Sequence, residues 1–430
     1  MEKSIFINLK EWYSKIIGKL TVFVNGRLDL ENGQEYLHKK MLKQELSTDL
    51  RWGSSSYNDS IIRADIVAMD SELPLKRQDA IETASGDIPK QGMMFKLTEK
   101  QLSDIDTMIA KGAGLVEIVK KVFSQVKKAV VGIYESNEYM FLQALSTGQT
   151  LIEDKDNVGL GIRVDFGFKD KNKFKALKPW SDSSALIIDD IKRVIKTAKA
   201  QGIVYRVIML DDSTLSFICQ NNQVKNYFAF SKGVTTGSDT VPTLNEEQIT
   251  EIFKTHLKLK LIVVDRVVQS EKNGKRTFHT PWESGILTFL PSENVGRLIY
   301  GTLAEETRKN PSIMYEKADY ILVKKWSENK PFSEWTSSEA LCLPVIDNGG
   351  QISLLDSNLS NLDDVQTEDD AVFSYNDKNY TKASVVAAIK IVNPQSKVTV
   401  TTTDAKLAEA INKFNEEQIA VFEANITLAT

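Results

Sequence analysis

Apolar residues recur at helical spacing from the start of the chain: Ile5, Leu9, Trp12, Ile16 and Leu20 form one stripe, widened by Phe6, Tyr13 and Ile17 and opposed by lysines. The pattern predicts an amphipathic docking helix. A membrane-surface helix is the alternative, but such a helix at a chain end more often packs on its own protein or on another copy. Residues from about Tyr57 to Gly92 form a long polar segment punctuated by Pro74, Gly86, Pro89 and Gly92, with alternating stretches (IIRADIVAMD, MMFKL) at its ends. An extended hairpin with a loose tip is expected there, and an excursion this long usually has a partner to lie against.

The helical period then returns. Thr98 and Gln101 fit a capping box, Leu102, Ile105 and Met108 follow on one face, and Gly112 and Gly114 break the run. Leu115, Ile118, Val119, Val122, Val126, Val130 and Ile133, continued by Met140, Phe141 and Leu145 to a stop at Gly148, predict a second helix. If it is continuous, about 33 residues at about 1.5 Å each give a rod on the order of 50 Å.

The middle third alternates strand and helix: GIRVDFGF, then SDSSALIIDDIKRVIKTAKAQG with a Ser-Asp start and Gly202 as its stop, then VYRVIML as a buried strand. NEEQITEIFKTHL reads as a helix, Asn273-Gly274 as a hairpin turn, and ESGILTFLP and ADYILVKKWSE as further strands. SNLSNLDDVQTEDD carries only acidic charges and reads as a linker to a final segment with its own β-α-β-α pattern (AVFSYNDKNY, KASVVAAIKIVN, KVTVTTT, AKLAEAINKFNEEQIAVFEANI).

Composition narrows the function. The 430 residues, 42% hydrophobic and 26% charged, can bury a core and correspond to roughly three domains. Against 58 acidic residues stand 54 basic ones, a net charge of -4, which leaves no global cationic field for sequence-specific DNA binding. Cys219 and Cys342, far apart in strand-like contexts, read as buried reduced thiols and not as a disulfide or zinc site. No apolar run reaches the roughly 18 residues that span a bilayer. Lys10, Glu11 and Lys15 interrupt what a signal peptide would keep apolar, so neither membrane integration nor secretion is expected.

Candidate chemistry is sparse. Gly112-Ala113-Gly114 lacks the third glycine of a dinucleotide fingerprint, Glu117 standing in its place, and follows a helix where the fingerprint follows a strand. No P-loop occurs. His38, His256 and His279 have no metal or triad spacing, so no catalytic, cofactor-binding or metal-ligating residue is assigned. The pairs Asp189-Asp190, Asp211-Asp212 and Asp363-Asp364 point different ways on helix or strand, which suits helix starts and turns better than a shared acid site. Lys169, Lys171, Lys173, Lys175 and Lys178 interleave with Phe166, Phe168, Phe174 and Trp180 and could touch phosphate; a solvated loop with packing aromatics is the commoner meaning. Elements that extend from a body without a chemical site point to assembly.

Specific segments resemble a known family. ADIVAMDSELPLKRQDAI, ASGDIPKQGMMFKLTEKQLSDI, VKKAVVGIYESNEYMFLQALSTG, WSDSSALIIDDIKRVIKTAKAQG and ADYILVKKWSENKPFSEWTSSEALCLPVI, from about Ile61 to about Asp356, resemble tailed-phage major capsid proteins of the lambda protein E type. The resemblance implies an α+β fold of the Hong Kong 97 capsid kind. Its parts would be an N-terminal arm (1–50), an E-loop (51–97), a peripheral domain with a long spine helix (98–179), an axial domain (180–300) and return strands (301–356). An acidic linker (357–370) and a small appended C-terminal α/β domain (371–430) lie beyond the family pattern.

The implied function is a major capsid protein assembling into pentamers and hexamers around the double-stranded DNA of a tailed phage, built in the bacterial cytoplasm and resident in the virion. Partners would be the chain itself, scaffold, portal and decoration proteins, and DNA bound without sequence specificity, with no membrane. No basis exists for naming a lysine-asparagine crosslink or a maturation cleavage. The alternatives are an encapsulin-like compartment or a soluble enzyme.

Overall fold

The computed structural model describes residues 36–56, 82–112, 124–152, 161–231, 243–272, 274–360, 372–375, 378–393 and 404–411, with a few single positions between them. The expected N-terminal helix, the stretch IIRADIVAMD, the acidic linker from 361 and the strand KVTVTTT lie outside the described residues. By compactness the described chain forms two units, one ending at Phe174 and resuming over Trp180–Ser357, the other made of Lys175–Pro179 and the residues from Asn358 on.

In chain order the first unit begins with α1 (Leu37–Met41), β1 (Leu42–Leu46), the strands β2 (Arg51–Ser56) and β3 (Glu82–Asp87), β4 (Lys90–Thr98), α2 (Glu99–Ala110) and α3 (Ser124–Thr147). β5 (Gln149–Ile152), β6 (Ile162–Asp165) and β7 (Lys173–Ala176) follow. Next come α4 (Ile187–Ala200), β8 (Val207–Asp211), α5 (Asp212–Gln220), α6 (Asn222–Ser231) and α7 (Glu246–Ile252), which runs into a π-turn over Phe253–Leu257. After β9 (Lys260–Val264), β10 (Val268–Lys272) and β11 (Lys275–His279) form a hairpin. The unit closes with β12 (Ile286–Leu290), β13 (Gly296–Gly301), α8 (Ala304–Thr307), β14 (Met314–Ala318), β15 (Ile321–Asn329), β16 (Phe332–Ile346) and β17 (Ser353–Ser360).

β16 organises the main sheet. Its order is β1-β13-β16-β15-β14, with β4 also paired to β16. β1 runs parallel to β13, and every other pairing is antiparallel. Along β16 the alternate positions Thr336, Ser338, Ala340 and Cys342 are small and buried. That face lets α3 lie close: Ser338 Oγ donates to the Ala129 carbonyl at 2.7 Å, and Asn137 Nδ2 reaches Cys342 Sγ at 3.5 Å. On α3, Val126, Val130, Ile133, Met140, Phe141 and Leu145 are buried at helical spacing, as the sequence period requires.

A second sheet, β7-β17-β12-β8-β9, meets the C-terminal end of α3, where Thr288 Oγ1 donates to the Leu145 carbonyl at 2.9 Å. The helix therefore buries one continuous core with both sheets. Each fully covered Leu or Ile there stabilises by about 1.5–3 kcal/mol. The described helix has 24 residues, about 36 Å at about 1.5 Å each, and Leu115, Ile118, Val119 and Val122 lie outside the described residues. It ends where Gly148 takes φ +80°, a conformation glycine adopts without steric cost.

Other expectations meet the structure in detail. Thr98 and Gln101 form the capping box of α2. Gly274 at φ +78° closes β10–β11, with Lys272 opposite Lys275. α4 begins later than the Ser-Asp start predicts: Asp182 accepts from the Ser184 amide (2.8 Å) in a preceding turn, and the helix starts at Ile187 without a side-chain cap. Cys219 lies in α5, not in a strand; Asp211 stands just before that helix and accepts from Thr214 Oγ1. Both cysteines are buried and free.

In the second unit, β18 (Val372–Tyr375) and β19 (Lys378–Thr381) form a hairpin followed by α9 (Lys382–Val392) and α10 (Asp404–Ile411). Val385, Val386 and Ile389 of α9 pack on Leu407 and Ile411 of α10.

One buried cation tests the packing of the main sheet. Lys325 is 1% exposed, with Nζ 3.0 Å from Thr336 Oγ1 and 3.9 Å from Glu334 Oε2. Burial pushes its amine down to about 8, against the pull of Glu334. Because the unfolded amine titrates near 10.4, the unfolded chain holds more protons between those values, and stability should rise as pH goes from about 8 to about 10. The rise is on the order of 1–3 kcal/mol. Above it, burial of Tyr36, Tyr134 and Tyr320, which raises their phenols, works in the opposite direction. Denaturant titrations across this range should show the slope in the native chain and a flattened one in Lys325→Met; equal slopes would contradict a neutralised interior amine.

Candidate assembly site

Two constructions on the first unit fix segments that continue outside the described residues. The first is the root of β2–β3. Ser47 Oγ donates to Asp49 Oδ1 and to the Arg51 carbonyl, both at 2.8 Å, and the Ser47 hydroxyl holds the Asp49 carboxyl below its ordinary range. Trp52 is buried opposite Gly86, where an added Cβ would come within 2.9 Å of the indole nitrogen, and its ring lies 6.4 Å from that of Phe166.

Arg297 on β13 closes the root. Its Nε and Nη2 donate to Asp347 at 2.8 and 2.9 Å, Nη1 to both oxygens of Glu45 at 3.0 Å, and Nη2 also to the Gly53 carbonyl at 2.8 Å. All three guanidinium nitrogens are thereby engaged. Its hydrogen bonds to Asp347 foremost, then to Glu45, outweigh partial burial and hold it still more firmly charged. Beyond this clamp the ribbon carries Gly53, Ser54, Ser55, Ser56, Thr83, Ala84 and Ser85, with no large apolar side chain to bury. A two-stranded ribbon of that kind is marginal alone. Arg297→Ala should cost about 2 kcal/mol, its partners being half-exposed, and should speed amide exchange selectively in 51–56 and 82–87. Unchanged exchange there would remove Arg297 from this role.

The second construction anchors residues 36–41 on α3. Tyr36 precedes α1 and supplies no cap. Instead Glu138, 101 residues from Leu37, accepts from the Leu37 amide (2.9 Å), the His38 amide (3.0 Å) and His38 Nδ1 (2.5 Å). A carboxylate at orphan N–H groups satisfies them and suits the helix dipole. One turn earlier, Glu135 Oε1 accepts from Tyr36 Oη (2.7 Å) and Arg266 Nη2 (2.6 Å), and the guanidinium lies 4.6 Å from the Tyr36 ring centre. Lys39 Nζ stands 3.5 Å over the Tyr134 ring.

The residues singled out in the sequence are not brought together. His38 is buried in this anchor, His256 is exposed on the π-turn, and His279 sits on β11 beside Ser270 and Thr277. Asp189 is exposed while Asp190 is buried against Trp180 Nε1 (3.1 Å), so adjacent acids do diverge. Asp211 is buried and Asp212 exposed; Asp363 and Asp364 lie outside the described residues. Phe166, Phe168 and Trp180 are buried packing residues. Among the described residues no three His, Cys, Asp or Glu side chains converge as metal ligands, and no helix is long and apolar enough to cross a membrane. Sequence reading missed Arg297 and Glu138. Glu138 had a signal, since it stands between Tyr134 and Phe141 on the apolar stripe of α3.

Comparison with known proteins gives these constructions a setting. Residues 66–351 match the family described as Phage major capsid protein E. No curated protein matches the chain. Among solved structures, similarity is found to the capsid protein assigned to a prophage of E. coli CFT073 (14% identity, 74% of this chain and 92% of that one, TM-score 0.46). It extends to a phage-related protein of Bordetella bronchiseptica RB50 (9%, 80% and 96%, 0.43) and to the capsid of cyanophage A-1(L) (10%, 76% and 93%, 0.42).

The family match defines the class: a capsid-forming structural protein of a bacteriophage, with a mixed α+β fold. The chain belongs to the Phage major capsid protein E family. The resemblance read from the sequence, about Ile61 to about Asp356, spans nearly the same residues.

Proposed function

We propose that many copies of this chain close into an icosahedral shell of pentamers and hexamers around the double-stranded DNA of a tailed phage, with the chain acting as scaffold material and not as an enzyme. The observation that carries this reading is the match to the capsid family over residues 66–351, in a chain whose β2–β3 ribbon is held at its root by Arg297 and Trp52. Residues 1–50 would serve as arm, 51–97 as E-loop, 98–179 as peripheral domain, 180–300 as axial domain and 301–356 as return strands. Residues 357–370 would be the linker to an appended domain at 371–430, carried on the outer surface. The hairpin would lie across a neighbouring copy and the arm would clamp another. Contacts of this heterologous kind close a shell when repeated about five-fold and six-fold axes, and each is weak enough to be corrected.

Scaffold, portal and decoration proteins would act during assembly in the host cytoplasm. The net charge of -4 supports a container that releases its duplex, since strong phosphate binding would oppose ejection. Particles isolated from phage-producing cells should protect duplex DNA from nuclease. Particles holding a cargo enzyme in place of DNA would favour an encapsulin-like compartment and contradict the packaging role.

A further inference from the structure

We infer that the exposed cationic face of α4 docks onto a second copy of this chain, which presents the acidic first turn of α7 to it. This rests on the assembly reading and names one contact within it. α4 buries Ile187, Ile188, Ile191 and Val194 on one face. Lys192, Lys196 and Lys199 then fall on one outward stripe, spaced four and three residues apart, whereas Arg193 turns back to Asp190 at 3.2 Å. Lys192 donates to Tyr227 Oη at 2.5 Å, and the Tyr227 ring meets the His256 ring edge-on at 5.7 Å, so α6 lies between α4 and the end of α7. The helical layer thus has a cationic end at α4 and, across α6, a turn where Glu246 and Glu247 are exposed.

Lys196 and Lys199 make no ion pair among the described residues, nor do Glu246 and Glu247. The α7 start is already capped without those two carboxylates. Asn245 and Gln248 exchange side-chain and backbone hydrogen bonds, each of 2.9 Å, leaving Glu246 and Glu247 only a dipole interaction within their own chain. One copy cannot join its own two surfaces, because α6 separates them. Copies arranged head to tail can, each lending its α4 to one neighbour and its α7 to the other, and such a contact closes rings. Phe230 of α6, 84% exposed, adds apolar surface to the same layer. Duplex DNA would find cations here too, but the acidic turn in the same layer repels phosphate, whereas a second copy matches both signs at once.

The test is charge reversal with reciprocal rescue in the full chain. Lys196→Glu/Lys199→Glu and Glu246→Lys/Glu247→Lys should each leave the thermal melt unchanged and raise the concentration needed for shells roughly tenfold or more, since every contact in the lattice is weakened. The quadruple variant should restore assembly to near the native concentration, and raising salt should weaken the native chain but not a variant with all four changed to Gln. Folded double variants that assemble like the native chain, or a folded quadruple variant that stays unassembled, would overturn the contact while leaving the capsid reading intact. Normal shells of Lys196→Glu/Lys199→Glu that retain less DNA would mark α4 as a duplex-facing surface and also overturn it. A native chain that never forms shells would instead refute the assembly reading itself.

Discussion

Replacing residues 57–81 by Asn-Gly should yield a folded, soluble subunit that forms no shells. Ser56 stands opposite Glu82 in the register of β2 and β3, so a two-residue turn can join the strands there. The root survives the change: Trp52, Arg297, Asp347 and Glu45 all lie on the retained side. Loss of assembly is thereby separated from loss of fold. The core under α3 is untouched, so the thermal midpoint should stay within a few degrees of the native chain, as expected for changes of well under about 1 kcal/mol, while sedimentation shows only small species. Shells from the shortened chain would mean that the hairpin is not the contact that closes the lattice.

Glu138→Ala should be the most destabilising single change in the anchor. It removes one acceptor from three donors, strands the His38 ring at 0% exposure, and leaves the first amides of α1 without partners. The expected loss is about 3–5 kcal/mol, because three donors, most of them buried, lose one carboxylate acceptor at about 1–3 kcal/mol each. Glu138→Gln keeps one acceptor oxygen and should cost roughly half as much. Denaturant midpoints at neutral pH measure both. A loss below about 1 kcal/mol for the alanine variant would show that α1 is held by packing of Met41 and Tyr36 and not by the carboxylate.

The elements that the sequence displayed were those whose signals are local and repeated. The stripe of α3, the capping box at Thr98, the turn at Gly274 and the buried run of β8 each announce themselves within a dozen residues. β1, β13 and β14 did not, because each is five or six residues long and becomes a strand only by pairing with partners far along the chain. α5 misled for a different reason. Leu215, Phe217 and Ile218 favour a strand by composition, and tertiary packing against β8 and β9, with Asp211 at the helix start, overrides that preference. The candidate site was less legible still. Arg297 acts through Glu45 and Gly53, some 250 residues earlier, and Glu138 through His38, a hundred residues earlier. A charged residue inside an apolar stripe says that a partner must exist; it does not say where.

The family match makes this a capsid protein, and electron microscopy of the purified chain at high concentration tests most directly whether its copies close into a shell. Hollow closed particles with five-fold and six-fold capsomers are the predicted result. A chain that stays a monodisperse monomer at that concentration would contradict it.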